Sequence, residues 1–230
     1  MIEFNNLKKV YGGKSALSVD RLTVRPNECI GLVGNNGAGK TTMLSLILDL
    51  IKATDGYVTS MGNKVNENDD WKEYTGSYLN EGFLIPFLTP MEYFEFIGSL
   101  HGMNKEDVVT FLNEASGFFS EDITVKKYIR DLSAGNKNKV GIMAAMMWKP
   151  GLLILDEPFS NLDPTSQSWL KNRLKKLNNE RVTMIISSHD LNHISEISSR
   201  ILLLENGILI KDISSGEGTL KELERYFSVS

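Results

Sequence analysis

One nine-residue segment, from Gly34 to Thr42, constrains the fold of this chain more than any other feature of the sequence. It reads GNNGAGKTT and matches Gly-x-x-x-x-Gly-Lys-[Ser/Thr], a pattern whose backbone N–H groups surround phosphates while its lysine reaches the terminal ones. The apolar run Cys29 to Val33 before it predicts a buried strand, and the pattern from Met43 to Ile51 predicts a helix. A helix N-terminus after such a loop favours anions, so we call Gly34 to Thr42 the phosphate loop.

The phosphate loop predicts a set of nucleotide contacts. These are expected at Asn35, Asn36, Gly37, Ala38, Gly39, Lys40, Thr41 and Thr42. The competing interpretation is a glycine-rich turn without a ligand, and the strand–loop–helix context argues against it.

Composition narrows the class of protein. The 230 residues are 41% hydrophobic and 23% charged, as in an ordinary soluble globular protein, and the net charge of −4 argues against a nucleic-acid partner. The single cysteine, Cys29, cannot form an internal disulfide, which fits a reducing compartment. Met1 to Val10 has no apolar block, and no segment approaches the about 20 apolar residues that span a bilayer. We therefore expect any membrane role to go through a partner.

Apolar runs and helical patterns alternate along most of the chain. Strands are predicted at Ile2–Phe4, Leu22–Val24, Cys29–Val33, Gly56–Ser60, Thr75–Leu79, Leu152–Leu155, Val182–Ser187, Ile201–Leu204 and Ile208–Ile210. Helices are predicted at Met43–Ile51, Met91–Leu100, Lys105–Ala115, Val125–Arg130, Asn136–Trp148, Ser166–Leu177 and Leu191–Ile197. Continuous apolar strands separated by helices predict an α/β fold with a mostly parallel sheet buried on both faces, and the helical stretch from Pro90 to Trp148 predicts an insert laid against it. Asn63 to Asp70 is polar and predicted to be a loop. Glu205-Asn206-Gly207 is predicted to join the last two strands as a hairpin.

Two carboxylates follow the apolar run Leu152 to Leu155. Asp156 would lie at the C-terminal end of a buried strand, where ligands bind in open α/β sheets. There it could hold Mg²⁺ through water, together with the Thr41 hydroxyl, while Glu157 could polarise a water that attacks the γ-phosphate. The alternative is a pair of surface carboxylates that cap a strand, and the phosphate loop favours the catalytic interpretation.

His189 occupies a similar position after a third apolar run. A lone histidine is usually structural or merely exposed, but this one is predicted at the same sheet edge as Glu157. Its ring can hydrogen-bond a γ-phosphate and orient Glu157.

Five motifs occur in an order that resembles ABC transporter ATP-binding subunits over essentially the whole chain, most closely those of the prokaryotic exporter (ABC-2-like) type. The motifs are Gly34 to Thr42, Leu132 to Asn136, Leu152 to Pro158, Ser160 to Asp163, and His189. The resemblance implies a P-loop NTPase with a RecA-like core and an antiparallel β subdomain near the N-terminus. It implies one ABC ATPase domain over 1–230, with the core at 1–89 and 150–230 and an inserted helical subdomain at 90–149.

The resemblance also implies further site residues. Leu132 to Asn136 is the family's signature segment, which contacts the ATP held by a second subunit. Ser133, Ala134, Gly135 and Asn136 would make that contact. Tyr11 would stack on adenine, and Asp163 joins the catalytic set with Lys40, Glu157 and His189. Glu81 would join Thr41 and Asp156 as a metal ligand, although Asn80 is the alternative at that loop position.

Some residues depart from the family's commonest pattern, namely Ala134 for Gly, Asn136 for Gln and Lys139 for Arg. Asn136 is one methylene shorter than Gln, so we expect slow but real ATP hydrolysis that rises with the membrane partner present. The expected ligands are ATP and Mg²⁺. The expected partners are an integral membrane permease and a second ATP-binding subunit, identical or related, at the inner face of the membrane.

Two questions stay open at the level of sequence. A soluble ABC ATPase acting in translation or DNA maintenance is the alternative function, against which stand the single cassette, the absence of heptads and the acidic charge. The apolar stretch Phe83 to Phe87 could be a docking groove for a partner's helix or a buried joint within the chain.

Overall fold

The computed structural model describes residues 1–119, 127–216 and 218–229, and the strands of these residues lie in one sheet. The strands are β1 Ile2–Tyr11, β2 Lys14–Val24, β3 Cys29–Val33, β4 Asp55–Ser60, β5 Asn63–Lys64, β6 Thr75–Tyr78, β7 Leu152–Leu155, β8 Thr183–Ser188, β9 Arg200–Glu205 and β10 Ile208–Ser214. The helices are α1 Lys40–Ile47, α2 Pro90–Leu100, α3 Lys105–Glu114, α4 Ala134–Met146, α5 Pro164–Asn179, α6 Leu191–Ile197 and α7 Thr219–Val229.

The strand order is β5-β4-β1-β2-β10-β9-β3-β8-β7-β6, and the sheet has two parts. From β9 to β6 every neighbouring pair is parallel. At the other end β5, β4, β1 and β2 pair antiparallel, and β10 turns back antiparallel on β9. A single parallel residue pair, Ile208 with Ser18, joins β10 to β2. This is the α/β fold with a parallel core and an antiparallel N-terminal part that the sequence predicts.

The two faces of the parallel part are covered by different elements, which is why its strands are apolar throughout. Every residue of β3, β7 and β8 is buried. Alternate side chains of β3 point to opposite faces: Ile30 and Leu32 pack with α1 and the antiparallel strands, whereas Cys29 and Val33 pack with the remaining helices. Burial raises the pKa of the Cys29 thiol to about 12, so it stays protonated at neutral pH.

Local signals define where several helices begin. Thr89 caps α2, its hydroxyl accepting from the Glu92 N–H while the Glu92 carboxylate accepts from the Thr89 N–H. Asp163 caps α5 with its carboxylate alone, which accepts from the Ser166 N–H. Each cap satisfies N–H groups that have no partner inside the helix. Helix α1 begins after Gly39 without a side-chain cap.

Several sequence-based boundaries are corrected by the structure. The strands predicted at Ile2–Phe4 and Leu22–Val24 are the ends of a long hairpin, β1 and β2, whose other residues alternate between buried and exposed and so lack a continuous apolar run. The loop predicted at Asn63–Asp70 contains the short strand β5. Helix α7 was not predicted. Of the helix predicted at Val125–Arg130, Val125 and Lys126 lie outside the described residues, and Ile129–Asp131 is a 3₁₀ turn.

The hairpin predicted around Asn206 and Gly207 is confirmed. These two residues join β9 and β10 with φ angles of 50° and 78°, as a tight turn between antiparallel strands requires. Within the parts of the chain that the structure describes, no helix combines the length and apolar character that crossing a membrane requires.

Candidate nucleotide site

The phosphate loop connects the end of β3 to the start of α1, and its glycines are required by the backbone. Gly37 and Gly39 have φ angles of 82° and 106°, which side-chain-bearing residues rarely adopt. A Cβ at Gly39 would lie 2.9 Å from the Ala16 carbonyl oxygen, and one at Gly34 would overlap the Leu204 carbonyl oxygen. The loop therefore approaches two strands so closely that only glycine fits at Gly34 and Gly39. Loops with this kind of backbone can present N–H groups to an anion.

Lys40 links the phosphate loop to the end of β7. Its side chain is only 7% exposed, and its ammonium donates to the Gly34 carbonyl oxygen at 2.7 Å. The same ammonium lies 3.3 Å from the Glu157 Oε1 atom. A nearly buried cation is thus held at the mouth of the loop, between the backbone and a carboxylate.

Asp156 lies directly after β7 and faces the first turn of α1. The Thr41 hydroxyl donates to its Oδ2 atom at 2.6 Å, and the Ser187 hydroxyl donates to its Oδ1 atom. Asp156 is 7% exposed and Ser187 is fully buried. Sequence reasoning missed Ser187. The signal for it is a hydroxyl residue at the C-terminal end of an apolar strand, at the same sheet edge as Asp156.

Glu157 has a left-handed backbone, with a φ of 47°, which costs about 1–3 kcal/mol for a residue other than glycine. This conformation turns its carboxylate towards both Lys40 and His189. The Oε2 atom is 2.8 Å from His189 Nδ1 and accepts from the His189 backbone N–H at 3.3 Å. The Oε1 atom is buried without a hydrogen-bond partner, although the Lys40 charge is close. His189 therefore orients the carboxylate through Oε2, while Oε1 has no hydrogen-bond partner.

A cavity of about 400 Å³ lies in front of the phosphate loop, lined in part by Lys40, Thr41 and Glu157. Asp156 and His189 do not line it, but they contact Thr41 and Glu157, which do. The cavity's lining residues are Tyr11, Lys14, Ser15, Ala16, Asn36, Gly37, Ala38, Gly39, Lys40, Thr41, Thr42, Glu157 and Asn206. This volume lies within the range of small-molecule sites.

Several of the lining residues come from hairpin turns. Tyr11 and Lys14 face each other across the Gly12-Gly13 turn of β1 and β2, and Tyr11 is 49% exposed. Sequence reasoning predicted Tyr11 but missed Lys14, Ser15, Ala16 and Asn206. Only the register of the hairpin places Lys14 beside Tyr11.

Ser133 to Asn136 do not line this cavity. Ser133 caps α4, its hydroxyl accepting from the Asn136 N–H at 3.3 Å, and Ala134 is exposed. A Cβ at Gly135 would lie 2.5 Å from the Asn161 carbonyl oxygen, so glycine lets the start of α4 pack directly on the loop after β7.

Helix α4 is tied to the loop that follows Glu157. The Asn138 amide donates to the carbonyl oxygens of Pro158 and Ser160, at 3.0 and 2.8 Å. Lys139, only 3% exposed, lies 3.1 Å from Asp163 Oδ2. Hydrogen bonds from Ser166 and then the Lys139 ammonium hold the pKa of Asp163 well below its usual range. Asp163 therefore lies with α4 and α5 and not at the cavity.

Glu81 lies beside α4 and not beside Asp156 in this structure. Its carboxylate pairs with the Lys137 ammonium at 3.2 Å. The alternative residue, Asn80, accepts from the Gly82 N–H and caps the 3₁₀ turn Glu81–Phe83. The described residues contain no cluster of three histidine, cysteine or acidic side chains suited to a metal. Thr41 and Asp156 remain as a pair of neighbouring oxygen donors, which suit a hard cation.

Comparison with protein families and curated relatives gives a consistent result. The family model described as ABC transporter matches residues 17–160. A Bacillus subtilis protein named uncharacterized ABC transporter ATP-binding protein YhaQ is 33% identical over 99% of this chain and 74% of its own length. The bacitracin transport ATP-binding protein BcrA of Enterococcus faecalis is 35% identical over 94% of this chain and 70% of its own.

Solved structures resemble the fold over nearly its full length. The ATP-binding cassette MJ0796, in a dimeric post-hydrolysis state bound to ADP and Pi, superposes with a TM-score of 0.83 at 26% identity. The match covers 94% of this chain and 99% of the cassette.

Proposed function

This chain belongs to the ABC transporter family, as an ATP-binding subunit with ATPase activity, and we propose that it binds and hydrolyses MgATP in the cavity in front of the phosphate loop. The observation that carries the proposal is that Lys40 and Glu157 line one cavity together with Thr41, whose hydroxyl donates to Asp156. Thr41 lies in the first turn of α1 and Asp156 directly after β7, and the two residues are 115 positions apart in the sequence.

The cavity suits each part of the nucleotide. The uncapped N-terminus of α1 and the N–H groups before it face the position of the phosphates, where the helix dipole favours negative charge. Lys40 adds a cation that reaches the terminal phosphates. Tyr11, half exposed at the cavity edge, offers a flat ring for adenine, and Lys14 beside it adds a second cation.

Asp156 and Thr41 fit a magnesium ion. Their oxygens are hard donors and already lie 2.6 Å apart, and Ser187 holds the other Asp156 oxygen. Mg²⁺, when bound, would neutralise charge on the β- and γ-phosphates. Glu81 stays a candidate third ligand, and its pairing with Lys137 means that it would have to leave that contact first.

Glu157 is the proposed general base. Its unsatisfied Oε1 atom can accept a proton from a water molecule. The oxygen of that water bonds to the γ-phosphorus, and the bond between the γ-phosphorus and the β–γ bridging oxygen breaks. His189 holds the other carboxylate oxygen, so the base has one orientation. The Lys40 ammonium would stabilise the negative charge that develops on the phosphate oxygens.

The site needs a second subunit to be complete. The start of α4 does not line the cavity, and Ser133 and Ala134 there are exposed. We infer that it covers the γ-phosphate of ATP held by a partner cassette, identical or related, in a head-to-tail dimer. Asp163 would act at that interface through its ion pair with Lys139 of α4, beside the hydrogen bond that joins Asn138 to the loop after β7.

An exposed apolar surface is the proposed contact with the membrane subunit. Phe83 and Phe87 are 52% and 66% exposed, and Phe83 borders a groove of about 320 Å³ that Leu50 and Trp71 also line. This exposure favours a docking surface over a buried joint within the chain. A helix of an integral permease laid in the groove would hold the chain at the inner face of the membrane.

We infer that the transporter is an exporter. The motif context most resembles exporter-type ATPases, and a relative that is 35% identical is named for bacitracin transport.

Phosphate release by the purified chain with its membrane partner tests the proposal. Glu157→Gln is expected to lower the rate by about 10²–10⁴-fold, because a general base contributes that much, while ATP binding persists. Glu67→Gln, which removes an exposed charge far from the cavity, is the matched control and keeps the wild-type rate. Unchanged phosphate release by Glu157→Gln would overturn the assignment of the base.

A further inference from the structure

The back of the phosphate loop packs against the turn between β9 and β10. The Gly207 N–H donates to the Ala38 carbonyl oxygen at 2.9 Å, and the Gly207 carbonyl accepts from the Ser18 N–H at 2.7 Å. A Cβ at Gly207 would lie 2.6 Å from the Ala16 carbonyl oxygen. The turn is therefore wedged between the loop and β2, and a shift of the turn must move one of them.

A small space of about 110 Å³ lies directly behind the loop. Its lining residues are Asn35, Asn36, Gly37, Ala38, Leu203, Leu204, Glu205, Asn206 and Tyr226. The front of the same loop segment lines the nucleotide cavity, so Tyr226 and the nucleotide would lie on opposite sides of one strip of backbone.

Tyr226 connects α7 to this turn. Its hydroxyl donates to Glu205 Oε2 at 2.6 Å, and that bond raises the pKa of the phenol. Leu223, one turn earlier in α7, is fully buried in the core and anchors the helix. Helix α7 thus has its own attachment, and the tyrosine adds a polar contact to the end of β9.

We propose that Tyr226 is a positioning residue for nucleotide binding, which acts through Glu205 and the β9–β10 turn to keep the N–H groups of the phosphate loop in their anion-binding arrangement. The inference rests on the proposed nucleotide site. Because coupling between two sites is reciprocal, bound ATP also steadies α7.

Tyr226→Phe tests this, because it keeps the ring and its packing and removes only the hydroxyl. The dissociation constant for ATP is expected to rise about two- to tenfold, and KM to rise while kcat stays unchanged. Tyr57→Phe makes the same chemical change on the exposed face of β4 and is expected to leave both values unaltered. Hydrogen exchange of the α7 amides is expected to slow with ATP in the wild type and not in Tyr226→Phe.

A double-mutant cycle with Glu205→Ala tests the route. The double variant is expected to bind ATP no worse than Glu205→Ala alone, since the two residues act through one bond. Additive losses would overturn the route through Glu205. A lower Tm for Tyr226→Phe with an unchanged dissociation constant would overturn the positioning role. Undiminished ATP binding by Lys40→Ala would instead overturn the nucleotide site itself, so the two failures are distinguishable.

Discussion

Lys40 is the residue whose side chain joins the phosphate loop to the carboxylates after β7. Its ammonium lies near the carbonyl oxygens of Gly34 and Asn35 and the Glu157 carboxylate. A bound γ-phosphate would compete with Glu157 for this cation, which would release the base as the substrate arrives.

Substitution of Lys40 removes the ammonium group from the phosphate loop. Lys40→Ala is expected to raise the dissociation constant for ATP about ten- to a hundredfold, because a hydrogen bond to a charged group contributes about 1.5–3 kcal/mol. Calorimetric titration of the purified variant measures this change. Lys105→Ala, which removes an exposed lysine far from the cavity, is the control, and equal binding by both variants would contradict the assignment.

At the scale of elements, α4, α5 and the loop before α5 form one hydrogen-bonded unit. Asn138 and Lys139 of α4 hold three groups of the loop: two carbonyl oxygens and the Asp163 carboxylate. Asp163 also caps α5. A movement of the start of α4 would therefore reach the loop that begins beside Glu157, which would relate the proposed surface for a second subunit to the proposed base.

Asp163→Ala tests this unit. We expect a fall in Tm of about 2–4 °C at pH 7, because α5 loses its cap and the buried Lys139 ammonium loses its partner. Asp163→Asn keeps a capping oxygen and is expected to lose less. Thermal melts followed by circular dichroism measure both, and an equal Tm for Asp163→Ala and the wild type would contradict the expectation.

The same group predicts a pH dependence. The pKa of Asp163 is lower in the folded chain than in the unfolded chain, where an aspartate has a pKa of about 3.9. Its stabilisation is therefore fully present above that value and is lost as pH falls through the folded pKa. The Tm of Asp163→Asn should depend less on pH than that of the wild type below about pH 4.

At the scale of the whole molecule, the two halves of the proposed hydrolytic site lie on different surfaces of one chain. The cavity is bordered by Lys40 and Glu157, whereas Ala134 at the start of α4 is exposed elsewhere. A single copy cannot bring these surfaces together without breaking the contacts that hold α4. Two copies, or two related cassettes, can do so head to tail.

Ala134→Asp tests the dimer. An aspartate in the first turn of α4 suits the helix dipole, so the monomer should fold, but it would repel the γ-phosphate of the partner's ATP. In a Glu157→Gln background, which keeps ATP intact, light scattering should show ATP-dependent dimers, and adding Ala134→Asp should abolish them. Ala134→Gly is the control and should still dimerise. Dimers that persist in Ala134→Asp would contradict this arrangement.

Short local patterns were enough to predict the phosphate loop, the carboxylates after β7 and the hairpin at Asn206 and Gly207. Each of these depends on a short pattern of glycines, charges and apolar residues whose local conformation has few alternatives. The parallel core followed from the same runs, because strands buried on both faces are apolar at every position. The division into a core and a helical subdomain at 90–149 stays a prediction.

The neighbours of these residues come from distant segments and are visible only in the folded chain. Ser187 reaches Asp156 because β8 lies beside β7, and Lys14 reaches the cavity through the register of β1 and β2. Tyr226 contacts Glu205 because α7 packs back onto the core. Ser187 has a local signal in its place after an apolar run, but nothing local names Asp156 as its partner, and Lys14 and Tyr226 carry no local signal. The reason is that strand order and helix packing arise from contacts between parts of the chain that are far apart in sequence.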